Sequence, residues 1–350
     1  MRLLVPVLVV ALAACSASPP RVLGEPVLAA QASGTEALLI GSHAVSDDVV
    51  WVSGTGGTVL RTTDGGRTWA DRSVAGYDTL QLRDVHALDA QTAWALSIGP
   101  GAASRIVKTT DGGASWRTVF VNPVADGFYD CLAMWDGQRG LAFSDSVEGT
   151  FLVLTTRDGG ESWTRVPDAA LPPAAEGEGS FAASGTCVTT GPDGRAWIAT
   201  GNADPARVLR TDDYGATWTA ATVPVAAGEA RGLSSVVFRD GRHGVALGGD
   251  IGQPEAYDDA VAITRDGGRT WRAGGRLPFP GAAYGAAYVP GTGALLATGP
   301  GGVALSRDDG ETWTLVDGET TWGVTAASPE GVWLVGPAGR LVRLAFPVQR

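Results

Sequence analysis

Lysine is almost missing from this 350-residue chain, with Lys108 the only one, and methionine occurs just twice. Arginine takes lysine's place nearly throughout, a compositional skew that carries no mechanism. Charged residues make up only 18%, and acids outnumber bases 37 to 26, for a net charge of −11. Such a balance argues against binding along a nucleic-acid backbone, whose phosphates need cationic partners. No amphipathic helical pattern follows the first residues, and no GxGxxG strand–turn–helix unit for a dinucleotide is present. The three histidines, His43, His86 and His243, are scattered along the chain, and cysteines number three. Neither a zinc cluster nor a redox centre is therefore expected, and no cofactor or metal is called for. What the chain has in quantity is glycine (50) and proline (20), the punctuation of many short strands and tight turns.

Six times the chain spells Ser/Thr, any residue, Asp, any, Gly, any, Ser/Thr, Trp. The copies end at Trp69, Trp116, Trp163, Trp218, Trp271 and Trp313, and carry Asp64, Asp111, Asp158, Asp213, Asp266 and Asp308. A period of roughly fifty residues with strand-rich content indicates a β-propeller. The phrase is identified as the Asp-box, or BNR repeat. Its Asp can accept hydrogen bonds from turn amides, its Gly supplies positive φ, and its Trp packs between blades. One carboxylate per turn is too few hard ligands for calcium, so these are structural residues.

Each box is preceded by three strand-like runs, for example Leu82–Leu88, Thr92–Ser97 and Ser104–Thr109. A seventh unit, Trp322–Ala327, Gly331–Val335 and Arg340–Leu344, lacks a box and an outer strand. Residues near Pro26–Ala32 can supply that strand and close the ring, which removes an aggregation-prone edge. The fold class is thus all-β, a single seven-bladed propeller over residues 27–350, closed by its N-terminal strand.

The first fifteen residues read as a lipoprotein leader: Arg2, an apolar run Leu3–Ala11, then Leu12-Ala13-Ala14-Cys15, which matches a bacterial lipobox. Cleavage would leave Cys15 for lipidation and Ser16–Pro26 as a tether. Without an aspartate at Ser16, such lipoproteins usually travel to the periplasmic face of the outer membrane. Cys131 and Cys187 fall in equivalent inner-strand slots of neighbouring blades. Two buried thiols and a disulfide both remain open, the thiols favoured because adjacent inner strands are expected to stand too far apart.

Two insertions break the regularity, Val166–Phe181 between blades three and four and Gly248–Asp259 within blade five. Both belong to the face opposite the boxes, together with loops 81–84, 97–104, 126–130, 144–149, 201–206 and 281–285. Long loops on a rigid scaffold are where recognition usually sits. Candidate binding residues on this face are Arg83, Asp84, Tyr129, Asp130, Asp145, Glu178, Ser184, Arg231, Asp250, Tyr257, Tyr284 and Trp322, with Phe181 and Asp258 nearby. The aromatics form either a stacking rim or blade packing. Asp130, Glu178 and Asp250 are the candidate acids should the face be catalytic, since two close carboxylates divide acid and base roles.

Units such as Val50-Trp51-Val52-Ser53-Gly54 followed by Val59–Gly66 make the chain resemble envelope-anchored Asp-box propellers. These include the photosystem II stability/assembly factor family and bacterial relatives labelled "oxidoreductase" or "glycosyl hydrolase". The latter look similar at Phe181–Thr186 and Gly248-Gly249-Asp250. The resemblance covers nearly the whole mature chain and implies a non-enzymatic, monomeric platform for an envelope protein or glycan. Sialidases also carry these boxes, which keeps a carbohydrate hydrolase as the alternative. Their pattern needs an arginine triad and an early Arg-Ile-Pro segment. Here Arg21 is followed by Val-Leu, and the inner-strand starts offer chiefly Arg83 and Arg231.

Overall fold

A computed structural model describes residues 23–347, which build seven four-stranded antiparallel sheets. Blade one runs Leu39–Ala44, Val50–Gly54, Val59–Thr62 and Ala70–Asp71, from the innermost strand outwards. The inner strands of blades two to six are Leu82–Ala87, Tyr129–Met134, Val188–Thr190, Arg231–Phe238 and Gly285–Tyr288. Blade seven combines Gly323–Ser328, Gly331–Val335 and Leu341–Ala345 with Val27–Ala30, which pairs Val27 with Ala345 and Ala30 with Val342. The two ends of the described residues meet in one sheet, so no blade among them is left with a strand missing.

The described part of the expected tether, residues 23–26, is held against the ring. Gly24 already donates its amide to Pro347 (2.9 Å), and Arg307 donates to the Leu23 carbonyl (3.1 Å). Cys15 and the rest of the leader lie outside the described residues.

Each box closes the turn between third and outer strands in the same way. In blade one, Thr68 donates its amide (2.9 Å) and hydroxyl (2.7 Å) to the two oxygens of Asp64, while the Gly66 amide donates to Thr62 Oγ1 (2.9 Å). The pattern recurs at Asp111, Asp158, Asp213, Asp266 and Asp308. A hydroxyl donor therefore fixes each carboxylate as an acceptor, the local geometry that the spacing of the phrase requires.

The core is not one mass but seven layers, each between two blades. Six of them are sealed by a box tryptophan: Trp69, Trp116, Trp163, Trp218, Trp271 and Trp313 pack one per interface. Only Trp218 is fully buried, and the other five keep one edge half-exposed. The interface between blades six and seven has no box and is sealed by the buried Phe346. A second tryptophan set lies within the sheets. Trp51, Trp94, Trp197 and Trp333 are fully buried, each removing roughly 150–250 Å² from water.

These sheet tryptophans lock neighbouring blades. The indole N–H of Trp94 donates to the Gly159 carbonyl in the box of blade three (3.1 Å), and that of Trp197 to Gly267 in the box of blade five (2.9 Å). A methyl group on Gly160 would lie 2.4 Å from the Trp94 ring nitrogen, and Gly160 has φ of 76°. Glycine is thus required twice over at this position, by conformation and by space. Gly160→Ala should lower the unfolding free energy by about 1–3 kcal/mol in urea titrations, with the slope unchanged.

Hydroxyl donors hold Asp64, Asp111 and Asp158 down to about 2, through Thr68, Ser115 and Ser162. Their unfolded value is about 3.9, so their contribution is complete above about pH 4 and is lost as pH falls towards 2. The thermal midpoint should drop steeply across that window, and Asp111→Asn combined with Asp158→Asn should flatten the drop.

Candidate functional site

Both long excursions emerge on one face and meet over the channel mouth. The segment after Val166 is laced to its surroundings by main-chain bonds: Ser146 donates to the Glu178 carbonyl (3.1 Å) and Gly179 to Gly201 (3.1 Å). Ser180 donates its amide to Asp145 Oδ1 (2.8 Å). Ile251, from the blade-five excursion, completes the rim. Together they roof a recess of about 280 Å³ lined by Arg83, Ile98, Phe128, Asp130, Asp145, Phe181, Ile251, Tyr284 and Trp322. That is just under the roughly 300–1,000 Å³ of drug-sized pockets, room for one side chain or a small ligand.

Two charges of opposite kind face this space. Arg83 is fixed by Gln81 Oε1, which accepts from its Nε (3.0 Å) and Nη2 (2.8 Å), and by the Ala182 carbonyl, which accepts from Nη1 (2.9 Å). Its guanidinium lies over the Trp322 ring at 5.3 Å, and Tyr284 packs on the same ring at 4.8 Å. Opposite stand Asp130, 1% exposed, and Asp145, whose carboxyl groups bond to each other. Burial, reinforced by the Asp145 charge, pushes Asp130 well up, and burial raises Asp145 to about 6. The two carboxyls titrate as one coupled pair, and of the two Asp130 is the one that burial disfavours more strongly as an anion. Burial also lowers the Arg83 guanidinium and raises the Tyr284 phenol.

The remaining sequence candidates have other places. Glu178 does not face the recess. It is buried in an ion pair with Arg207, whose Nε donates to Oε1 (2.9 Å), and it also accepts from Thr200 Oγ1 (2.7 Å) and the Ala175 amide (2.9 Å). Its role is to pin the excursion, and the expectation of a catalytic acid there is corrected on that ground. Asp250 sits at the turn of the blade-five loop and accepts from Gly252, away from Asp130. The three candidate acids do not converge; Asp130 instead meets Asp145. Arg231 is paired with Asp258 (2.6 Å), and Tyr129 is 2% exposed in an interblade layer against Phe120. Tyr257 is 54% exposed on the loop. Ile98, Phe128 and Ile251 were missed, because an apolar residue in a loop carries no signal of its own.

One level deeper, a channel space of about 190 Å³ is lined by Ser42, His43, Asp84, His86, Ser184 and Thr186. Asp84 accepts from the Leu132 amide (2.6 Å) and burial raises it to about 7. Ser184 donates to the Tyr284 carbonyl (2.7 Å). The histidines are not all scattered: His43 and His86 pack against each other with ring centroids 4.1 Å apart and planes tilted by 49°. They occupy equivalent registers in adjacent blades, opposite Trp51 and Trp94, a coincidence visible once the blades are aligned. His43 Nδ1 accepts the Ala87 amide (2.6 Å), and burial lowers this imidazole to about 4. His43 is thus neutral with its proton on Nε2.

Cys131 and Cys187 form a disulfide, against the favoured expectation of two thiols. Their Cα atoms are 6.1 Å apart, inside the roughly 4.4–6.8 Å that a bridge spans. The inner strands converge near the axis, and Cys187 precedes its strand, where the chain bends in from the excursion. The bridge ties blade three to blade four directly beside Asp130. Cys131→Ala with Cys187→Ala should cost roughly 4 kcal/mol of unfolding free energy for a closed loop of this length, read by denaturant titration under oxidising conditions.

Seven sheets around a channel, with a lined recess under the long loops of one face, define a seven-bladed β-propeller of the recess-bearing kind. Among solved structures this chain is similar to "YCF48 bound to D1 peptide", with a TM-score of 0.63 and 16% identity over 94% of this chain and 99% of that one. YCF48 from Cyanidioschyzon merolae is equally similar, with a TM-score of 0.63 and 16% identity over 91% and 98%. The WD40 propeller domain of Doa1 follows at 0.60 and 15% over 94% and 98%. At such identities the likeness is one of fold. No protein-family profile and no curated protein sequence matches the chain.

Proposed function

We propose that this propeller is a lipid-anchored, non-enzymatic platform of the bacterial envelope that binds a protein partner over the recess of its loop face. The observation that carries this reading is the convergence of both long excursions on one apolar, charge-bearing recess. Nothing in the regularity of the blades requires that convergence. The fold shared with YCF48, whose structure was solved with a D1 peptide, supports a protein segment as the occupant. Cys15 is the proposed anchor, on the strength of the lipobox, and the periplasmic face of the outer membrane the proposed location. A glycan partner has less support, because the recess walls are chiefly aromatic and aliphatic.

A carbohydrate hydrolase is the second reading, and the carboxyl pair is what favours it. Its geometry runs the other way: Asp130 and Asp145 bond to each other, whereas glycosidase carboxylates stand at least about 5 Å apart. A photo-crosslinking residue at Ile251 or Tyr257, on the loop face, should trap one envelope protein in cells. The same residue at Arg67, on the box face, should trap none. Equal capture from both faces, or oligosaccharide turnover that Asp130→Asn abolishes, contradicts the platform. Cys15→Ala should move the protein from the membrane fraction to the soluble one.

A further inference from the structure

The recess contains a buried acid that the protein leaves without an ion-pair partner among the described residues. Asp130 is 1% exposed, and apart from the carboxyl group of Asp145 its Oδ2 meets no hydrogen-bond donor among the described residues. Neither Asp130 nor Asp145 belongs to an ion pair among the described residues. Arg83, whose charge acts on Asp130, makes no ion pair with it and spends three of its five N–H donors on Gln81 and Ala182. Around the acids the walls are Phe128, Phe181, Ile98, Ile251 and the Tyr284–Trp322 pair, surfaces that suit methylenes and, through the ring faces, a cation.

Resting on the platform reading, we infer that the recess takes a primary ammonium at the end of an apolar chain: a lysine side chain of the protein partner, its nitrogen at Asp130 and Asp145 and its methylenes along Phe128, Phe181 and Ile251. A carboxylate would face two acids, and a guanidinium presents a planar fork where one oxygen waits for a donor. An ammonium is compact and carries three donors on a flexible stem. A polyol would leave most of its hydroxyls against apolar walls.

The charges balance. In the empty recess burial and mutual repulsion favour one proton shared by the pair, which leaves one carboxylate against the Arg83 guanidinium. When the ammonium enters, that proton leaves to solvent, and two carboxylates then face two cations. The other titratable groups around the pair do not offset this. Tyr284 stays neutral, Glu178 is neutralised by Arg207, and Asp84, His43 and His86 lie deeper in the channel. Binding therefore releases a proton and strengthens as pH rises, because both carboxyls are raised by burial and must ionise to meet the ammonium.

The test is calorimetric titration of the full chain with Nα-acetyl-lysine N-methylamide, its norleucine counterpart and butylamine. The lysine derivative should bind at least about tenfold more tightly than the norleucine one, more tightly at pH 7.5 than at pH 5, and with proton release. Asp130→Asn should weaken it by at least about tenfold with the near-UV circular dichroism retained; Asp145→Asn provides the same reading should the first variant misfold. Equal binding of the norleucine derivative, affinity that rises on acidification, or indifference to both variants overturns the assignment. Butylamine binding more tightly than the lysine derivative overturns a protein side chain as the source. A loop-face crosslink that persists while these titrations fail removes the ammonium assignment alone. Loss of the crosslink removes the platform itself.

Discussion

The contact on which the ring depends is the one between a blade's box turn and the tryptophan of the blade before it. Four sheets carry a tryptophan at one register of the second strand, and in three cases its ring meets the box glycine of the next blade: Gly66 against Trp333, Gly160 against Trp94, Gly268 against Trp197. A side chain on the glycine would separate the blades, and a smaller ring would leave a void in a layer packed to crystal-like density. Because the core is divided into such layers, the stability of this molecule is a sum of neighbour terms that must close on itself. Gly66 against Trp333 is the term that closes it, since it joins the first blade to the seventh.

Rigidity at the perimeter is what allows irregularity on one face. The excursion after Val166 carries no sheet of its own, yet it is fixed by the Glu178–Arg207 ion pair and by main-chain bonds to blades three and four. It then delivers Ser180 to Asp145 and Phe181 to the recess. Gly179 passes so close to Asp145 that no side chain fits there. The disulfide at Cys131 holds the neighbouring inner strand in place. Burial of Asp130, Asp145 and Asp84 is thus maintained against its electrostatic cost by covalent and hydrogen-bonded supports around them. Burial disfavours the charged form of all three, and the supports around them keep that arrangement in place.

The chain announces its ring and conceals its recess. Strand order, the closing strand near Val27, the seven units and the side from which both excursions leave were all legible, because each follows from a repeating local phrase or from its interruption. Arg83, Asp130, Asp145, Tyr284 and Trp322 were recognisable as loop-face residues from their position at strand entrances. Glu178 was misread because its partner Arg207 lies in another strand of the next blade. The His43–His86 pair and the Cys131–Cys187 bridge are illegible in the sequence for a shared reason: near the axis adjacent inner strands converge, and no local pattern reports distance to the axis.

By itself the sequence determined the architecture, since a turn phrase recurring about every fifty residues fixes where strands start, stop and reverse, whatever lies elsewhere in the chain. Tertiary structure alone decided which acids meet, which are neutralised, and that two thiols become one bridge. Those outcomes depend on the radial and axial positions of side chains from different blades, and such positions exist only once the ring has closed.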